Sequence, residues 1–280
     1  MQQRSVALGA EFADLRLAWL EWGPADAART LVCVHGLTRN AHDFDVLAAA
    51  LAARGCRVIA IDVAGRGASG WLADPSQYQV PVYVAQIKRL LELLGLGKVD
   101  WIGTSMGGLI GIAMAAAEPV LISRLVINDI GPFVASATLA HIRSYLGLDL
   151  AFRDLAELEA HLRQIHAPFG PLTDAQWRHL AEHSSRQDGA VLRLHYDPAI
   201  RAVFDAAGDA DTELWQVWDG VRCPVLLLHG AESVLLTDAT VAEMQRRGPP
   251  VEVVTLPGIG HAPALMADDQ IEIILRWLGL

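Results

Sequence analysis

The sequence predicts an α/β architecture: a mainly parallel central sheet flanked by helices, with a helical cap inserted after the sixth core strand. Three observations predict it. Short β-branched or Leu-rich runs alternate with longer amphipathic stretches, the pattern of parallel strands covered by helices. The alternation breaks once, over residues 133–222, where Ala, Leu, Arg, Glu and His dominate. Finally, an apolar run from Val99 to Ile102 passes through a Gly-x-Ser-x-Gly turn directly into an Ala-rich helical stretch.

Strands are read near 15–21, 31–34, 57–62, 98–102, 124–128, 224–229 and 251–256. Between them, residues 42–53, 80–94, 106–117, 237–247 and 268–278 carry Leu, Ile, Val and Ala at helical spacing. Within 133–222 several helical segments follow one another and no strand is read. The chain therefore divides into a core of residues 1–132 and 223–280 and a cap of residues 133–222. Helices inserted between two strands of such a sheet form a lid over the C-terminal strand edge, where open α/β sheets bind ligands.

Composition narrows the function. Of 280 residues 52% are hydrophobic and 19% charged, enough apolar material for one large core. A net charge of −10 repels phosphate backbones and anionic lipid surfaces, and no basic patch offsets it. Neither a nucleic-acid nor a membrane partner is expected. No apolar run is long enough to span a bilayer, and Met1–Ser5 leads into no secretory-type apolar segment. The cysteines Cys33, Cys56 and Cys223 read as buried free thiols of a reducing compartment. A cytoplasmic monomer or homodimer is the expectation. Neither metal nor cofactor is expected: His141, His161, His179 and His183 read as solvated cap residues, and no Gly-x-Gly-x-x-Gly opens the first helix.

The chemistry concentrates at Gly103-Thr104-Ser105-Met106-Gly107. A sharp strand-to-helix turn strains its central residue, and glycine two positions to either side lets backbone pack against backbone. The Ser105 hydroxyl is thereby presented at a helix N-terminus, where the dipole and free N–H groups favour developing negative charge. Serine needs a base to take its proton. His261 is the candidate, on a loop between the last strand and the last helix, at the same sheet edge as the elbow.

Over nearly its whole length the chain resembles the α/β-hydrolase superfamily. Leu31–Leu37 resembles the strand and His-Gly turn that carry half of the oxyanion hole. Asp62–Ser69 resembles an Asp-x-x-Gly-x-Gly-x-Ser loop, and Gly258–Pro263 the late Gly-x-Gly-His loop bearing the base. The resemblance implies that the backbone N–H groups of Leu37 and Met106 form the oxyanion hole. Its usual acid position falls in the 230–238 loop, which reads Gly230-Ala231-Glu232-Ser233-Val234 and holds no aspartate there. A subgroup of small esterases and thioesterases instead places the acid in Asp-Ile-x-Pro after an earlier strand, with a serine of the later loop also bonding the histidine. Asp129 and Ser233 match those positions. The acid is thus Asp129, or else a carboxylate of the later loop, Glu232 or Asp238.

The implied activity is a serine hydrolase cleaving small to medium uncharged carboxylic esters or thioesters through an acyl-enzyme, with no cofactor. Carbon–carbon bond hydrolysis, lactone hydrolysis and ligand binding without efficient turnover remain alternatives on the same fold. Dehalogenase and epoxide-hydrolase chemistry, which attacks with a carboxylate, is disfavoured by serine at 105. Phe133 and Trp218 of the cap and Arg39 beyond the oxyanion turn are candidate substrate contacts.

Overall fold

A computed structural model describes the whole chain, Met1–Leu280. The main sheet has eight strands: β1 (Gln2–Ala7), β2 (Arg16–Trp22), β3 (Thr30–Val34), β4 (Arg57–Asp62), β5 (Val99–Thr104), β6 (Ile122–Asn128), β7 (Val225–Gly230) and β8 (Val251–Leu256). They lie side by side in the order β1-β2-β4-β3-β5-β6-β7-β8. β1 and β2 pair antiparallel, as do β2 and β4, and the remaining neighbours are parallel.

The helices are α1 (Asp45–Ala53), α2 (Val80–Leu93), α3 (Met106–Ala117), α4 (Ser136–Tyr145), α5 (Leu155–Ile165), α6 (Asp174–His183), α7 (Arg201–Ala206), α8 (Trp215–Trp218), α9 (Asp238–Arg246) and α10 (Asp268–Leu278). Parallel strands buried on both faces read as unbroken apolar runs, because successive side chains point to opposite layers that are both dry. Val225 and Leu227 pack with Ile110, Met114 and Met244, whereas Leu226 and Leu228 pack with Leu47, Leu51, Ile274 and Leu278. The two layers are thus separated residue by residue along one strand. Each fully buried Leu, Ile or Val contributes about 1.5–3 kcal/mol.

Two features differ from the sequence reading. β1 is a polar, largely exposed edge strand with no apolar alternation to betray it. With it counted, the strand that precedes the insert is the sixth of the sheet. The insert also contains two short antiparallel ribbons, Phe133–Val134 with Thr212–Glu213 and Ser185–Asp188 with Val191–Leu194. Strands of two to four residues, in which only Val134 is buried, are too short to show a period of two.

The insert between β6 and β7 packs over the loops that leave the C-terminal ends of the parallel strands. Asn40 Nδ2 donates to the His183 carbonyl (2.8 Å), Arg39 Nη1 to Ser184 Oγ (2.8 Å), and the Gly260 N–H to the Pro168 carbonyl (2.8 Å). No helix is long and apolar enough to cross a membrane. All three cysteines are buried and unpaired.

Asp62, at the end of β4, ties two of these loops together. Its carboxylate accepts from the Ala41 N–H (2.8 Å) and the Ala68 N–H (2.9 Å). Burial nevertheless pushes its pKa up, from 3.8 to about 6. Because the folded value lies above the unfolded one, the folded state binds the proton more tightly. Stability associated with this group is therefore greatest at low pH and is lost as pH rises from about 4 to about 6. Urea unfolding of the parent and of Asp62→Asn across that range should show the difference between them move in favour of the variant, by roughly 3 kcal/mol in total. A constant difference would contradict the assignment.

Candidate active site

β5 and β6 pair in register at Thr104 and Asn128, so Ser105 and Asp129 are the next residues out at neighbouring strand ends. Both leave their strands with positive φ, 51° at Ser105 and 56° at Asp129. Non-glycine residues seldom adopt this region, and it persists where the surroundings impose it. At the Ser105 turn the constraint is visible in its flanking glycines. A Cβ on Gly103 would lie 2.2 Å from the Gly107 carbonyl oxygen, and one on Gly107 would lie 1.9 Å from that of Val34.

His261 reaches this point from the loop after β8. Its Nε2 lies 2.9 Å from Ser105 Oγ and its Nδ1 2.8 Å from Asp129 Oδ2. A carboxylate only accepts, so Nδ1 carries the proton and Nε2 is left as an acceptor facing the serine hydroxyl. Asp129 is 0% exposed. Its Oδ1 accepts from the Gly230 N–H (2.8 Å), and its Oδ2 also accepts from the Ser233 hydroxyl (2.6 Å). Ser233 Oγ in turn accepts from the Leu236 N–H (3.1 Å). Asn128 Nδ2 donates to the Pro263 carbonyl (2.8 Å), tying the histidine loop to β6.

The other carboxylates stand elsewhere. Glu232 is exposed, and the Asp238 side chain is 98% exposed in the first turn of α9, near His229 rather than His261. His229 is buried against the Leu236 carbonyl (3.0 Å).

Met106 follows Ser105 directly, and Leu37 follows Gly36, whose backbone lies against the Ser105 side chain. Met106 opens α3, so no earlier residue of that helix accepts from its N–H, and the Leu37 N–H has no intramolecular acceptor. Arg66 connects the two residues. Wholly buried, it donates from Nε to the Leu37 carbonyl (2.8 Å), from Nη1 to the Ala64 carbonyl and Tyr83 Oη (2.8 Å each), and from Nη2 to Met106 Sδ (3.4 Å). Sequence reading passed over this brace, because nothing in a loop arginine's neighbours along the chain shows that it is buried. His35 holds the same region: its Nε2 accepts from the Val63 N–H (3.0 Å), and burial lowers its pKa to about 3, so the ring is neutral.

Two of the candidate substrate contacts are buried. Arg39 has its guanidinium bonded to both Asp43 oxygens and to Ser184. Trp218 is 0% exposed in the main core, with its indole N–H donating to the Arg247 carbonyl (2.9 Å). Its position in a helical segment disguised a packing anchor as a pocket residue. Phe133 is half-buried in the short ribbon with Glu213.

A family model described as the α/β-hydrolase fold matches residues 29–266, and the chain belongs to that family. It is 43% identical over 267 residues to the 3-hydroxybutyrate-oligomer hydrolase of Cupriavidus necator, covering 92% of this chain and 91% of that protein. It is 30% identical over 233 residues to an esterase of Mycobacterium tuberculosis, covering 81% of this chain and 74% of the relative. The solved structure of an α/β hydrolase from Novosphingobium aromaticivorans superposes with a TM-score of 0.87 at 33% identity, covering 99% of this chain and 98% of the other. These relatives are hydrolases, and the fold and the likenesses support a hydrolase here.

The backbone contacts at Gly107 give a direct test of the elbow. Gly107→Ala must displace the end of β3, because the obstructing atom is the Val34 carbonyl rather than a flexible side chain. Its thermal midpoint should fall by on the order of 5 °C or more, against little change for Gly97→Ala, where a Cβ meets nothing. Equal midpoints would contradict the geometry.

Proposed function

We propose that this protein is a serine ester hydrolase in which Ser105 is the nucleophile, His261 its base and Asp129 the acid that orients the base. The observation that carries the proposal is the unbroken hydrogen-bond chain from Ser105 Oγ through both ring nitrogens of His261 to a buried carboxylate. In the reaction, Ser105 Oγ attacks the ester carbonyl carbon as its proton passes to His261 Nε2. The Leu37 and Met106 N–H groups receive the oxyanion. Collapse of the tetrahedral intermediate breaks the acyl–oxygen bond, and the alcohol leaves with the proton from Nε2. Water, deprotonated by the same nitrogen, then releases the acid from the acyl-enzyme and restores Ser105.

The buried Asp129 carboxylate, bonded to His261, supports turnover over ligand binding alone, although the usual acid position near Ser233 and Val234 carries no aspartate. The substrate class we infer is a small to medium carboxylic ester, uncharged around the scissile bond. Arg39 and Arg66 support this, since each is already committed to protein partners. Short oligoesters of 3-hydroxybutyrate are the first substrates to test, given 43% identity across 92% of the chain to the hydrolase that carries that name.

The test is hydrolysis of 3-hydroxybutyrate dimer and trimer and of p-nitrophenyl esters of increasing acyl length, alongside thioesters, lactones and carbon–carbon substrates. Ester turnover should exceed the others. Ser105→Ala should lower it by several orders of magnitude with the fold intact, Ser233→Ala by about tenfold, and Glu232→Gln hardly at all. Undiminished turnover by Ser105→Ala would overturn the mechanism, and faster carbon–carbon cleavage would overturn the substrate class.

A further inference from the structure

A second group of reactive side chains lies where the insert meets the core, outside the hydrogen-bond chain of Ser105. His42 and Asp45 come from the core, on the turn that leads into α1 and at its first residue. His179 and His183 come from α6 of the insert, four residues apart and hence on one helix face. The sequence reading took these two as solvated and expected no metal, overlooking that they form a His-x-x-x-His pair.

The fold brings the two pairs together. One donor atom each from His42, Asp45 and His183 lie within 4.8 Å of one another. Asp45 Oδ2 is 2.9 Å from His42 Nδ1 and 3.3 Å from His179 Nε2. The His42 and His183 rings stack with centroids 3.6 Å apart, and the His179 ring stands 4.6 Å from that of His183. Asp45 Oδ1 is buried with no hydrogen-bond partner. The cluster is half-buried, and a cation would satisfy the orphaned carboxylate oxygen among the imidazoles.

We propose that His42, Asp45 and His183, with His179 beside them, form a binding site for one divalent transition-metal ion of the zinc class, bridging the insert and the core. Imidazole nitrogens with a carboxylate suit Zn²⁺, and Co²⁺ as its substitute, better than the all-oxygen sets that hold calcium or magnesium. Metal–ligand distances of about 2.0–2.2 Å set tetrahedral donors roughly 3.4 Å apart. Because an ion lies in the plane of each imidazole that binds it, coordination requires the stacked His42 and His183 rings to turn out of their parallel arrangement. The ion would reinforce the contacts that already join these segments, Asn40 with His183 and Arg39 with Ser184. The site is independent of the hydrolytic reading.

The test uses the full chain, stripped with a chelator and dialysed, then titrated with Zn²⁺ by calorimetry and with Co²⁺ by visible absorption. One equivalent should bind, with the intense ligand-field bands of tetrahedral Co²⁺. At about a hundredfold excess over Kd the thermal midpoint should rise by on the order of 5 °C. Asp45→Asn and His183→Ala should each weaken binding by more than the roughly 10–100-fold that loss of a supporting group costs. A readout on the parent protein needs no variant to fold: Zn²⁺ should protect His42, His179 and His183 from diethyl pyrocarbonate, as mapped by mass spectrometry. Absence of saturable one-to-one binding, parental affinity in folded Asp45→Asn and His183→Ala, or protection that falls on His261 instead would each overturn the proposal.

Discussion

The structure around Ser105 depends on the burial of one carboxylate. Asp129 has no contact with water, and an unpaired charge in that position would cost several kcal/mol. Three donors from two other loops meet it: the Gly230 N–H, the Ser233 hydroxyl and the His261 ring. Each satisfies part of the carboxylate and is in turn placed by it. The left-handed backbone at Asp129 is the local strain that turns its side chain off the sheet edge toward those donors. The adjacent β6 and β7 strands make the arrangement possible, because the loop after β7 then passes directly beside the end of β6.

This dependence explains which parts of the site were legible in the sequence. Ser105 was readable because strand, turn and helix are contiguous, and the two glycines are there for a local reason, backbone against backbone. His261 was readable from the order of elements alone. Asp129 required more, since its partners are far apart in sequence, and only the resemblance to the Asp-Ile-x-Pro subgroup pointed to it ahead of Glu232. The structure brings Asp129 to the histidine, joins Ser233 to the Asp129 carboxylate rather than to the ring, and leaves Glu232 exposed. The fold class was plain from the two-layer alternation, whereas β1 was not, being an exposed edge strand whose pairing with β2 needs no apolar face.

The failures share a physical cause. Arg39 and Trp218 were judged by residue type and by neighbours along the chain, and Arg66 was passed over, but what decides their roles is burial against distant segments. Arg66 lies under both Leu37 and Met106, Arg39 is held by Asp43 and Ser184, and Trp218 is a core anchor beneath α9. The histidines of α6, read as solvated, are half-buried for the same reason: their neighbours, His42 and Asp45, are more than 130 residues away in the chain. Long-range tertiary contact separates a solvated residue from a structural one.

The central claim is that the buried Asp129 carboxylate makes Ser105 reactive through His261. Labelling with a fluorophosphonate probe, followed by peptide mapping, measures this without reference to any substrate, since only an activated serine reacts at an appreciable rate. The account predicts stoichiometric modification of Ser105 in the parent. In a folded Asp129→Asn protein, whose amide can favour the wrong imidazole tautomer and cannot stabilise the cation, labelling should slow by a factor on the order of 10³–10⁴. Modification of a different residue, or labelling of Asp129→Asn at the parental rate, would contradict it.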